Sequence, residues 1–171
     1  METAEPLLCL CAPGALGRTQ ALLAARRRLV IADRPAGLER FDLLAHGPHT
    51  TAALRLALEQ PQAVRTLVLL APRTIGRDGA PGDGADAALL ERLPGVAAPS
   101  LAVFGTRDAS APPEAARHYR ERIPGCNLVF VYDAGAAMMD ERPEAVASLV
   151  LDFLERHDLF LVRRESDLIF P

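Results

Sequence analysis

Few side chains in this sequence can do chemistry, and they fall in short groups. His46 and His49 form a His-x-x-His pair whose imidazoles could ligate a metal or move a proton. Cys9 and Cys11, spaced i and i+2, project from the same side of an extended segment. Asp108 closes the segment Gly105-Thr-Arg-Asp108. Cys11, His49 and Asp108 are also the three residue types that a thiol–imidazole–carboxylate site requires. Each group has a plainer reading. The histidine pair lies on a turn rather than a helix, with no third ligand at a recognisable spacing, so no metal is expected and packing is the better reading. A free cysteine in an apolar strand is far more often a small buried hydrophobe than a nucleophile. Asp108 suits a loop residue capping the helix expected from Pro113, and Arg26-Arg27-Arg28 a basic helix end matched to the helix dipole. Met138-Met139 could line a pocket or pack against a partner.

Composition removes other classes. The 171 residues are 50% hydrophobic and 24% charged, the balance of one ordinary globular domain. No apolar run reaches the roughly 18 residues of a membrane span, and the acidic start Met1-Glu2-Thr3-Ala4-Glu5 is not that of a signal peptide. A net charge of −3 and a pI near 5.8 argue against nucleic acid as the main partner. All 19 basic residues are arginine, as coding bias in a GC-rich bacterial genome would produce, and without lysine there is no side-chain amine for Schiff-base chemistry. Three cysteines in no disulfide-like pattern fit a reducing cytoplasm, and no cofactor is expected.

The elements that must position these residues alternate in type. Leu7–Cys11, Leu29–Ala32, Phe41–Leu44, Thr66–Leu70, Ser100–Phe104 and Leu128–Val131 are short continuous apolar runs, as strands buried on both faces should be. Helical patterns fill the gaps at Arg18–Arg28, Thr50–Glu59, Ala85–Arg92, Pro113–Arg122 and Glu144–His157. The order predicts an α/β fold with a mainly parallel sheet of about six strands. The Gly-, Asp- and Pro-rich stretch Arg73–Asp86 reads as a mobile loop. Residues 1–158 form the domain, and 159–171 an apolar C-terminal tail with Leu159-Phe-Leu-Val162 and Leu168-Ile-Phe170.

The stretch Phe41-Asp-Leu-Leu-Ala-His-Gly-Pro-His-Thr50, its helix, and the strand ending at Pro72 resemble the nucleophile-elbow region of the α/β-hydrolase fold family. That family runs strand, Gly-x-Ser-x-Gly, helix, turn and next strand. Pro99–Asp108 resembles the strand and loop delivering the family's catalytic acid. Ile123–Gly135 with Glu141–Val146 resembles its last strand, histidine loop and closing helix. The resemblance spans most of residues 6–157 and implies a capless hydrolase-like fold. It also implies a degenerate triad, with Gly47 at the nucleophile position, Ala136 at the histidine position and only Asp108 kept. His49 replaces a small residue at the elbow, so the turn is expected to have opened. Leu10-Cys11 stands where the family's oxyanion loop carries His-Gly, ahead of Ala12-Pro13-Gly14. Cys11 and His49 could at most form a replacement site with Asp108.

One family helix is missing. Residues 34–40 must return from the second strand to the third, a path of at most about 25 Å when extended. A taut crossing is expected, leaving one sheet face open. With the apolar tail, that open face suggests a catalytically inactive protein acting through protein–protein association, as a homo-oligomer or an accessory subunit. The alternatives are a hydrolase of ester or thioester bonds using non-standard residues or a partner subunit, and a small-ligand binder using Pro13, Gly14, Gly47 and Met138 around the relic pocket.

Overall fold

A computed structural model describes residues 5–157, together with the backbone of residues 168–170. Seven strands form one parallel sheet in the order β2-β1-β3-β4-β5-β6-β7. They are β1 (Leu7–Leu10), β2 (Leu29–Ile31), β3 (Phe41–His46), β4 (Val64–Leu70), β5 (Ser100–Gly105), β6 (Asn127–Val131) and β7 (Leu168–Phe170). The helices are α1 (Thr19–Ala24), α2 (Thr50–Glu59), α3 (Ala87–Arg92), α4 (Ala116–Arg122), α5 (Met138–Glu141) and α6 (Pro143–Arg156).

Alternation along each strand divides the core between two faces. Leu8, Leu43, Leu67 and Phe104 pack with α2, α3 and α4, whereas Leu7, Leu44, Val68 and Val103 pack with α1, α5 and α6. Burial on both sides explains why the strands read as unbroken apolar runs. The six expected strands are present. The seventh comes from the tail, where Leu168, Ile169 and Phe170 stand beside Val129, Phe130 and Val131 of the same chain. Leu159–Val162 lies outside the described residues.

Three expectations need correction. The connection from β2 to β3 is not taut: the Ala36 amide donates to the Arg34 carbonyl and the Leu38 amide to Pro35, closing a turn. Nor is the adjoining face of β1 open. Leu8 and Leu10 are buried, and Leu38, Val30 and Ala32 pack against the same core. Finally, α1 ends at Ala24, before the arginine run, so a helix dipole does not explain those residues.

Arg27 instead reaches the start of β3. There it makes an ion pair with Asp42, which is fully buried, and donates to the Glu5 carbonyl at 3.0 Å. Thr66 Oγ1 donates to Asp42 Oδ1 at 2.8 Å, and Arg65 Nε lies 3.7 Å from the same oxygen. Asp42 thereby ties β1, β3 and β4 together at their amino ends.

Candidate functional site

The candidate residues gather at the opposite edge, beyond the carboxyl ends of the strands, where parallel α/β sheets bind their ligands. The loop after β1 brings Cys11, Pro13 and Gly14; β3 delivers His46, Gly47 and His49; β4 leads into Ala71 and Arg73; β5 into Asp108; and β6 into Ala136.

Gly47 follows β3 directly at φ +58, and a 3-10 turn over Gly47–His49 feeds α2. The sharp strand-to-helix turn therefore persists, and the expected opening at His49 is not found. The hydroxyl of Thr50 secures it, donating to the Gly47 carbonyl at 2.7 Å. A Cβ at Gly47 would meet nothing nearer than Arg73 Cδ, at 3.9 Å, so backbone conformation rather than crowding makes glycine apt there. Ala71, buried at the end of β4, holds φ +46 without being glycine. Such local strain concentrates at functional sites.

Asp108 is 2% exposed. Its Oδ1 accepts from the Ser110 amide (2.8 Å), the Ser110 hydroxyl (2.7 Å) and the Ala111 amide (3.2 Å). It thus orders its own loop and does not cap the helix beginning near Pro113, which has no side-chain cap. Oδ2 is buried with no hydrogen-bond partner among the described residues, and the same holds for His49 Nδ1. Burial holds the His46 imidazole below its ordinary range, against an opposing pull from the Asp108 charge. His46, His49, Arg73 and Asp108 thus share one electrostatic neighbourhood.

The remaining sequence candidates differ in burial. Burial pushes the Cys11 thiol up, and the more deeply buried Cys9 thiol up to about 12, which disfavours a thiolate nucleophile at neutral pH. Pro13, Gly14 and Ala136 are exposed. Met138 and Met139 are buried in the α1/α6 core, so they pack within their own chain. Among the described residues, no three His, Cys, Asp or Glu side chains are placed to hold a metal.

The loop after β1 and the loop after β6 are fastened to each other. The Arg18 amide donates to Asp140 Oδ1 and the Thr19 hydroxyl to the Met139 carbonyl, each at 2.8 Å. Gly17 passes so close to the Asp140 carboxylate that a side chain there would collide with it. The expected mobile loop is tied down as well. Arg73 pairs with Asp83 at 2.6 Å, Thr51 Oγ1 donates to the Asp83 carbonyl at 2.6 Å, and the Ile75 amide donates to the Tyr119 hydroxyl at 2.9 Å. This loop alone occupies the interval between β4 and α3, and no cap of further helices is inserted there.

One further residue of the turn bears on its chemistry, and its signal is its type alone. Pro48 stands immediately after the nucleophile position, where an elbow enzyme takes a backbone N–H for its oxyanion hole. Proline has none.

No family model and no curated protein sequence matches the chain. Solved structures do. MGS-MChE2, an alpha/beta hydrolase enzyme from the sediment metagenome of the Mar Chica lagoon in Morocco, superposes with a TM-score of 0.72 at 17% identity, covering 90% of this chain and 92% of its own. The enol-lactonase from Burkholderia xenovorans LB400 gives a TM-score of 0.72 at 16% identity, with coverage of 88% and 92%. CarC, a serine hydrolase involved in carbazole degradation, gives 0.70 at 16% identity, with coverage of 88% and 91%. The parallel sheet, the strand-to-helix turn at Gly47 and these superpositions together establish that the chain has the α/β-hydrolase fold.

Proposed function

We propose that this α/β-hydrolase-fold chain is catalytically inactive and works by binding. The observation that carries the reading is Gly47: the elbow keeps its left-handed backbone but presents no side chain at the nucleophile position. Ala136 likewise offers no base, so Asp108 has no imidazole to orient on that loop. Protein association is the first form this binding takes. In its support, β2 is an edge strand with one side unpaired, and Ile31 on it is 45% exposed. Binding of a small molecule beyond the carboxyl ends of the strands is the second form, favoured by the unpartnered Asp108 Oδ2 after β5 and by the strained Ala71 after β4.

The purified chain is expected to hydrolyse short p-nitrophenyl esters no faster than heat-inactivated protein, and to take up no fluorophosphonate probe. Turnover abolished by Cys11→Ala would replace this reading with a thiol enzyme. Light scattering separates the two forms of binding: a stable assembly at micromolar concentration supports association, and a monomer directs attention to the crevice.

A further inference from the structure

Loss of the nucleophile and the base leaves open whether the crevice could still stabilise the charge that acyl transfer creates. When a nucleophile attacks an ester carbonyl, a bond forms to carbon and the π electron pair moves onto oxygen. In an elbow site that oxyanion is held by two backbone N–H groups, one from the residue after the nucleophile and one from the loop after the strand that here is β1. We infer that Pro48 is an independent block on this chemistry, acting by removing the first donor. The inference rests on the inactive reading and deepens it by assigning a second cause.

The geometry explains why proline is tolerated at this point. Pro48 opens the 3-10 turn that leads into α2, and the turn's first hydrogen bond is made further on, by the Thr50 amide to the Gly47 carbonyl. At the first positions of a helix the N–H groups have no intrahelical partner, so folding loses nothing when proline removes one, and the fixed φ of the ring suits the turn. The unused N–H that a helix start can spare is the same N–H that an oxyanion hole needs. The ring also sets a methylene where the amide hydrogen would be, replacing a donor with an apolar group. The turn is held rigidly in this form: Thr50 Oγ1 bonds the Gly47 carbonyl at 2.7 Å, accepts from the Arg73 amide at 3.2 Å, and meets Thr74 Oγ1 at 3.0 Å. The loop after β1 can supply only the other donor, through a non-proline residue such as Ala12.

The test compares Gly47→Ser/Ala136→His with Gly47→Ser/Pro48→Ala/Ala136→His, using fluorophosphonate labelling and p-nitrophenyl acetate hydrolysis, with thermal melts as the check on folding. The double variant should stay at background, and adding Pro48→Ala should raise the rate by about 10²–10³, the usual effect of one oxyanion donor. Equal rates in the two variants, whether both active or both inert, overturn the inference. A second measurement needs no restored triad. In the single variant Pro48→Ala, the backbone amide gained at position 48 should shift in NMR spectra as acetate is titrated. An amide that ignores acetate faces away from the crevice, which also overturns it. Activity in the wild-type chain would instead refute the inactive reading itself, so the two failures are distinguishable.

Discussion

Gly47→Ser puts the missing hydroxyl back into the elbow, and its thermodynamic cost can be worked out from the backbone. At φ +58 a non-glycine residue is strained by about 1–2 kcal/mol, because its Cβ approaches the following carbonyl oxygen. Nothing adds to that figure from packing, since the nearest atom to a new Cβ is Arg73 Cδ at 3.9 Å. A loss of this size in a domain of 171 residues lowers Tm by roughly 2–8 °C. Gly47→Ala should fall by the same amount within about 0.5 kcal/mol, because both substitutions introduce the same Cβ and the serine hydroxyl is not needed for the loss. Calorimetry on the three proteins gives the comparison. An unchanged Tm in both variants would mean that the turn relaxes out of the left-handed region, refuting the claim that the elbow is held. A loss above about 4 kcal/mol would mean that the space around Gly47 is closed.

Other outcomes follow from the same structure. Asp42→Ala should lower urea-measured stability by about 3–5 kcal/mol, because it strands the nearly buried Arg27 guanidinium without its counter-charge; a loss under about 1 kcal/mol would refute that account. Burial holds the His46 imidazole low, so the unfolded chain binds a proton that the folded chain refuses. The stability due to neutral His46 is therefore complete above about pH 6.5 and is lost progressively as pH falls below it. His46→Gln should flatten that part of the profile, and an unaltered slope would assign it to other groups. Cys9 and Cys126, both pushed up to about 12 by burial, should resist iodoacetamide in the folded protein and react once it is unfolded. Rapid native labelling of either would contradict their burial.

The alternation of apolar runs with helical periods makes most of the sheet legible, because a strand buried on two faces must be apolar throughout. What escapes is set by tertiary contacts or by very short segments. Leu168–Phe170 is three residues at a sheet edge, too brief for any period to show. The sequence overstates the length of α1 because arginine is a good helix former, whereas Arg27 is in fact claimed by a carboxylate 15 residues ahead. Asp42 does leave a trace, as a lone charge inside Phe41-Asp-Leu-Leu44, and a charge buried in a strand must be paired. At the site, Gly47 is readable by alignment to the elbow pattern and Ala136 by alignment to the histidine loop. The unpartnered oxygen of Asp108 is not, because whether a buried oxygen finds a donor depends on its tertiary neighbours and not on its own position in the sequence. Composition misleads for loop 73–86: its glycines and aspartates indicate turns, and the hydroxyls and guanidinium that fasten it lie partly on α2 and α4.

The clasp between Asp140 and the start of α1 makes the two flanking loops mechanically one body. A molecule pressing on the stretch from Ala136 to Met139 pushes, through the Arg18 amide and the Thr19 hydroxyl, on the first turn of α1. That helix packs on α6, so the load passes into the deepest-packed helix of that face and is not absorbed by bending of a free loop. Such a wall cannot mould itself to many shapes. For the binding role proposed above, such a wall would admit what already fits and keep the ordering entropy of binding small.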